Sequence, residues 1–305
     1  MKTLPILFIV SSLLLGACST GKKDSSGTSI KIVATTGMIR DAVANIVGHD
    51  AEVVALIGPG VDPHLYKASQ GDLEKLSSAD VIFYNGLHLE GKMGEVLEKL
   101  AALKQVVPVG EGIPDSLLRT VPGFAGAHDP HIWFDVALWK HAVHHAEKFL
   151  SEKYPALSEN FKNRSTAYQL KLDSLHTSVL EQIKTIPEAG RVLVTAHDAF
   201  GYFGDAYHIE VKGLQGISTV SEFGLRDITD LVDFITTRKI KSVFIESSVS
   251  PRSIEAVVEG CRKKGWNVSI GGSLYSDAMG AEGTPEGTYL GMVNANVQTI
   301  VKGLK

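Results

Sequence analysis

Residues 158–184 read SENFKNRSTAYQLKLDSLHTSVLEQIK, a stretch that contains neither glycine nor proline and is rich in leucine, lysine, glutamine and glutamate. Because these residues favour helices and nothing in the stretch breaks one, the sequence predicts a single long helix here. Pro187 and Gly190 follow and end it. Such a helix would join the two parts of the chain as a stiff connector rather than a flexible hinge.

Short β-rich runs alternate with helical stretches on both sides of this helix. Before it, strands are predicted near 29–36, 52–57, 79–85 and 106–109, and helices near 37–47, 72–78, 92–103 and 136–150. After it, strands are predicted near 191–196, 242–245 and 267–270, and helices near 227–238, 253–264 and 287–301. The alternation predicts an α/β fold of two lobes, each a mostly parallel sheet flanked by helices. The expected divisions are an N-terminal lobe at 30–157, a connecting helix at 158–186 and a C-terminal lobe at 187–305.

The N-terminus has the pattern of a secretory leader. Met1-Lys2 is followed by an apolar run through Leu15, which is shorter than a membrane span. The run ends in Leu15-Gly16-Ala17-Cys18, which resembles the bacterial lipobox. We therefore expect residues 1–17 to be a signal peptide, Cys18 to carry a lipid and the polar residues 18–29 to be a tether. The alternative is an ordinary signal peptide with a coincidental cysteine.

Composition narrows the class of partner. The chain has 305 residues, of which 44% are hydrophobic and 21% are charged, with a formal net charge of -4. These are ordinary globular values, and the negative balance argues against nucleic-acid binding. The second cysteine, Cys261, has no partner once Cys18 is lipidated and is interpreted as a small buried apolar residue.

Two copies of one tripeptide point to a binding site. Asp62-Pro63-His64 follows a predicted strand in a loop, and Asp129-Pro130-His131 repeats the pattern in a later loop. Because each proline has a restricted backbone, each histidine is suited to a preorganised position. The repeat suggests two parts of one metal site.

The second half of the chain offers two further candidates. His197 ends a predicted strand, and Asp277 lies in the loop after the last strand. Together with His64 and His131 they form a set of three imidazoles and one carboxylate, which suits Zn²⁺ and also serves Mn²⁺ or Fe²⁺. Each residue alone has a plainer interpretation, because a lone histidine is often a surface or capping residue and Ser-Asp is common in turns.

Several other residues lie near these candidates in the sequence or resemble them in type. Glu246 at a strand end is interpreted as a hydrogen-bond acceptor for an imidazole N–H, although a ligand or a salt-bridge partner would fit the same position. Trp133 and Phe200 are expected to pack beside the ligands. The remaining histidines, including His128, lack comparable surroundings and are left out of the site.

Common enzyme motifs are missing from the sequence. Residues 86–93, GLHLEGKM, nearly match a phosphate-binding loop, but Met93 replaces the required Ser or Thr and Glu90 would repel phosphate. No His-Glu-x-x-His or Gly-x-Ser-x-Gly pattern occurs. The absence of these motifs removes the simplest hydrolase interpretations, and a set of four protein ligands suits a site that holds a metal rather than one that keeps a position open for water.

The chain resembles a known family, the metal-binding lipoproteins of bacterial ABC importers known as cluster A-I or the TroA-like group. The similarity extends from about Ile30 to the C-terminus. It is carried by the segments ATTGMI, GVDPHLY, ADVIFYNGLHLE, HDPHIWFD, VTAHDAFGYF, VKGLQGISTVSE, FIESS and LYSDAMG. The resemblance implies that His64, His131, His197 and Asp277 are the four metal ligands, and it implies two α/β lobes joined by a rigid helix.

The same resemblance implies a function and a metal preference. Members dedicated to manganese tend to have Glu at the position of His197, and zinc proteins often have a His-rich loop near residues 115–128. Because this chain has neither feature, it is similar to the subgroup that takes Zn²⁺ and Mn²⁺, and the preference stays open. The implied function is capture of the cation outside the cytoplasm and delivery to an ABC permease with a separate ATPase, by a monomeric, lipid-anchored protein.

Two alternatives remain at this point. A surface adhesin or interaction lipoprotein would use the metal as a structural element. A zinc hydrolase would need a water molecule on the metal, and four protein ligands argue against it.

Overall fold

The computed structural model describes residues 29–121 and 126–305. The expected signal peptide, the lipidation of Cys18 and the tether through residue 28 lie outside the described residues. Among the described residues, no helix combines the length and the apolar character needed to cross a membrane.

The first half of the chain forms a four-stranded parallel sheet. Its strands are β1 (Ile30–Ala34), β2 (Ala51–Ala55), β3 (Val81–Tyr84) and β4 (Gln105–Pro108), in the order β2-β1-β3-β4. Its helices are α1 (Gly37–Val47), α2 (Gln70–Ser78), α3 (Gly94–Ala101) and α4 (Val136–Lys153). The carboxyl ends of β1 and β3 lie side by side, so the loops that follow them share one edge of the sheet.

The second half follows α5 (Ser158–Lys184), which is the long helix predicted from the sequence. Here β5 (Val192–His197) pairs with β6 (Glu210–Gln215) and β7 (Ser242–Glu246) pairs with β8 (Ser269–Leu274), both in parallel. The two pairs are in contact through β5 and β7. The helices are α6 (Gly201–Tyr207), α7 (Leu225–Arg238), α8 (Arg252–Lys263) and α9 (Tyr289–Leu304). The α/β class, the parallel sheets and the joining helix are confirmed.

Two local expectations differ from the structure. The short elements α6 and β6 were not predicted. The last strand was predicted near 267–270, directly before Gly271-Gly272, yet both glycines lie inside β8. Gly272 has a φ of 147°, and a Cβ on it would lie 2.5 Å from the side chain of Thr299 in α9. Glycine is required there because helix and strand approach too closely for a side chain.

The two halves share one hydrophobic core. The buried residues of α5 recur every three or four positions and include Phe161, Leu172 and Val179. Residues from strands of both halves and from α1, α4, α5 and α9 belong to the same buried cluster, and each half has a further cluster of its own. Separating the lobes widely would expose this shared apolar surface, so the fold disfavours a large hinge motion.

A buried polar contact joins elements from the two halves within that core. Asp41 in α1 accepts a hydrogen bond from the hydroxyl of Tyr168 in α5 at 3.2 Å and one from the backbone N–H of Tyr289 at 3.1 Å. Burial raises the pKa of Asp41 despite these two donors. The contact fixes α1, α5 and α9 relative to one another.

Candidate metal centre

His64 is held by the first Asp-Pro-His loop. The carboxylate of Asp62 accepts the backbone N–H of His64 at 2.8 Å, as an aspartate two residues earlier in a turn commonly does. The other carboxylate oxygen accepts the hydroxyl of Thr219, at 2.6 Å, from the second half of the chain. Further along, the hydroxyl of Tyr66 donates to Asp72 at 2.6 Å and ties the loop to the start of α2. The loop is thus tied by hydrogen bonds to both lobes.

His131 is held by the second Asp-Pro-His loop in a different way. Asp129 accepts the backbone N–H of His131 at 3.0 Å, and the same oxygen lies 2.7 Å from the ring Nδ1. Because the carboxylate accepts a hydrogen bond from Nδ1–H, the ring presents Nε2 as its free nitrogen. Tyr202, from the second half of the chain, donates its hydroxyl to the backbone oxygen of Asp129 at 3.0 Å.

His197 and Asp277 come from the second half of the chain. His197 is the last residue of β5, and Glu246 is the last residue of the adjacent β7. One oxygen of Glu246 lies 2.5 Å from Nδ1 of His197, and the other accepts the backbone N–H of His197 at 2.9 Å. Asp277 lies in the loop after β8, where the indole N–H of Trp133 donates to the backbone oxygen of Ser276 at 3.0 Å.

The four predicted candidates converge in the interior between the lobes. One donor atom from each of His64, His131, His197 and Asp277 lies within 4.8 Å of the others. The Nε2 atoms of His64 and His131 are 3.4 Å apart, and the Asp277 oxygens are 3.2–3.6 Å from the three Nε2 atoms. All four side chains are at most 1% exposed.

Asp277 has the most unusual surroundings of the four. Apart from the three imidazole Nε2 atoms at 3.2–3.6 Å, neither of its carboxylate oxygens has a hydrogen-bond partner within the part of the chain that the structure describes. Burying a carboxylate with so few donors is costly, because it has lost its hydration. Three imidazole nitrogens and this carboxylate therefore surround a point that favours positive charge.

The ionisation of the group follows from burial and from its carboxylates. Burial lowers the pKa of His64 to about 4, although the nearby Asp277 opposes the change. Burial would also lower the pKa of His197, but Glu246 and Asp277 raise it well above its usual value. For Asp277 the effect of burial is outweighed by His197 and His131, and its pKa lies well below the usual range. In the absence of a cation, the two carboxylates therefore favour the protonated form of His197.

The residues left out of the predicted site lie elsewhere. His128 is 2.9 Å from Asp115 and takes no part in the convergent group. Trp133 and Phe200 are buried packing residues, with Trp133 5.3 Å from the ring of His131 and Phe200 4.1 Å from the ring of Phe134. Sequence reasoning missed the role of Asp129 as acceptor for the His131 ring, although its place two residues before the histidine was a usable signal.

Comparison with known proteins gives consistent matches over nearly the whole chain. The family described as "ZnuA: Zinc-uptake complex component A periplasmic" matches residues 32–303. The chain is 51% identical over 302 residues to the manganese-binding lipoprotein MntA of Bacillus subtilis, covering 97% of each chain. It is 49% identical over 285 residues to the zinc-binding protein TroA of Treponema pallidum, covering 93% of this chain and 92% of the relative. The solved structure of that periplasmic zinc-binding protein superimposes with a TM-score of 0.88 and covers 91% of this chain and 99% of its own.

Proposed function

This chain belongs to the ZnuA family of periplasmic zinc-uptake components, and from that premise we propose that it captures a divalent transition-metal cation between its lobes and delivers it to an ABC permease. The members of this family are components of a transport system rather than enzymes. His64, His131, His197 and Asp277 are the proposed ligands. The observation that carries this assignment is the buried Asp277 carboxylate, which faces three imidazole Nε2 atoms and has no other hydrogen-bond partner among the described residues.

The spacing of the donor atoms supports a small cation. A tetrahedral Zn²⁺ with bonds of about 2.0–2.1 Å places its ligand atoms about 3.3–3.4 Å apart. Four of the six separations are 3.2–3.6 Å, namely those from Asp277 to each histidine and that between His64 and His131, and the two remaining pairs lie within 4.8 Å. Since both Asp277 oxygens have no partner besides the imidazoles within the described chain, a larger Mn²⁺ would gain a second oxygen without losing an imidazole.

We propose Zn²⁺ and Mn²⁺ as the cargo, because relatives of nearly equal identity bear a manganese-binding and a zinc-binding name. The same donors accept Fe²⁺. The permease and its separate ATPase are the proposed partners. A monomer outside the cytoplasm, anchored by a lipid on Cys18, completes the proposal. The lipobox-like sequence and the lipoprotein name of the Bacillus subtilis relative support the lipid anchor.

The test is calorimetric titration of the chelator-stripped protein with Zn²⁺ and with Mn²⁺. We expect one site per chain, and we expect the double variant His64→Ala, His131→Ala to lose at least 100-fold in affinity because half of the ligand set is removed. His49→Ala removes an exposed histidine outside the site and serves as the matched control. Absence of binding to either cation, or wild-type affinity in the double variant, would refute the assignment. A cation that leaves only when the chain unfolds would instead favour a structural role.

A further inference from the structure

The loop between β3 and α3 contains an unusual run of backbone conformations. Gly86, Leu87 and His88 have φ values of 76°, 53° and 64°, all in the left-handed region. For Leu87 and His88 this conformation costs about 1–3 kcal/mol each, so the surrounding structure must enforce it. The loop lies against the first metal-site loop, because a Cβ on Gly91 would be 3.7 Å from the backbone oxygen of His64.

The carboxylate of Glu90 closes this loop on itself. One Glu90 oxygen accepts the backbone N–H of Asn85 and the hydroxyl of Thr35, both at 2.7 Å, and the other accepts the N–H of Gly86 at 3.3 Å. Glu90 is 3% exposed, and burial raises its pKa. In residues 86–93, the loop whose sequence resembles a phosphate-binding loop, the Glu90 carboxylate therefore accepts the backbone hydrogen bonds that a phosphate would accept in such a loop.

Asn85 connects the loop to the second Asp-Pro-His motif. Its side-chain amide donates to the backbone oxygen of Pro130 at 2.9 Å and to that of Gly86 at 3.1 Å. The Pro130 oxygen belongs to the peptide group that leads into His131, so holding that oxygen fixes the plane from which His131 projects. Asp129 then fixes the ring, as described above.

We propose that Asn85 is a positioning residue that sets the backbone of His131 before the cation arrives, and that Glu90 holds Asn85 in place. The inference rests on the proposed function of the site. A ligand that is already in position loses less freedom on binding, and the affinity rises accordingly. When the spacing of the ligand atoms is set before binding, the site also discriminates between ions of different size, since a larger ion must push apart ligands that are held in place.

The experiment compares Asn85→Ala with the wild type in two measurements, Zn²⁺ affinity by chelator competition and the visible absorption spectrum of the Co²⁺ form. We expect a 10- to 100-fold loss of Zn²⁺ affinity, the usual effect of removing a group that orients a ligand. We also expect altered Co²⁺ bands and a smaller Zn²⁺/Mn²⁺ affinity ratio. Asn294→Ala is the matched control, because its amide donates to a backbone oxygen within α9 at 2.9 Å.

The outcomes separate this proposal from the function itself. Unchanged affinity and an unchanged Co²⁺ spectrum in folded Asn85→Ala, with only a lower melting temperature, would overturn the positioning role. If Asn85→Ala does not fold, Glu90→Gln gives the test, because it keeps the side-chain shape but places an NH₂ group against N–H donors. Wild-type affinity and spectrum in Glu90→Gln would then overturn the proposal. Failure of the wild type to bind any cation would refute the proposed function.

Discussion

Replacing Glu246 by Gln tests how the protein prepares His197 for a cation. In the wild type, the two carboxylate oxygens of Glu246 accept the ring Nδ1–H and the backbone N–H of His197. Glutamine keeps one acceptor oxygen but turns an NH₂ group toward the other N–H. One buried hydrogen bond is lost, which lowers the free energy of unfolding by about 1–3 kcal/mol.

The same substitution removes a negative charge beside the ring. Without that charge the imidazole Nε2 donates its electron pair to a cation less strongly. We therefore expect cation affinity to fall about 10- to 100-fold, or about 1.4–2.7 kcal/mol. The pKa of His197 should also fall, because Glu246 is the strongest of the groups that raise it. A cation that binds the wild type must displace the His197 proton, whereas one that binds the variant displaces less than a full proton at neutral pH.

The assay is calorimetry at one pH in buffers of different ionisation enthalpy, repeated between pH 6 and pH 8. For the wild type we expect about one proton released per cation and an affinity that increases with pH, since the raised pKa of His197 keeps it protonated until the pH passes that value. The variant should show a weaker pH dependence. Equal affinity and equal proton release in the two proteins would refute the argument that Glu246 acts through His197.

Three further predictions concern the contacts between the lobes and the stability of the fold. Thr219→Val removes the hydroxyl that donates to Asp62 and should speed cation release several-fold, measured by stopped-flow transfer to a chelator; an unchanged rate would contradict a role for this contact in retention. Tyr168→Phe should lower the free energy of unfolding by about 1–3 kcal/mol, because Asp41 loses a buried hydrogen-bond donor, and it should leave cation affinity unchanged. Denaturant melts measure the stability, and calorimetric titration measures the affinity. A cation at 1,000 times its dissociation constant should stabilise the folded protein by about 4.1 kcal/mol, and an unchanged melting temperature would mean that no such binding occurs.

The sequence alone determined the elements whose cause is local. The helix at 158–184 could be predicted because its residues favour helices and none interrupts it, and the two Asp-Pro-His loops could be located from Pro63 and Pro130. The convergence of His64, His131, His197 and Asp277 was also anticipated, because each follows a strand or lies in a loop of an α/β unit.

Tertiary structure decided the features that depend on partners distant in the chain. The two Asp-Pro-His motifs are identical in sequence, yet the second oxygen of Asp62 meets Thr219 whereas the Asp129 carboxylate binds the His131 ring. Nothing within either tripeptide specifies that difference, since it depends on which loop of the other lobe lies nearby. In the same way, the strand predicted near 267–270 stopped short of Gly271-Gly272, because a pair of glycines is locally a turn signal. Only the close approach of α9 shows why a glycine lies inside β8.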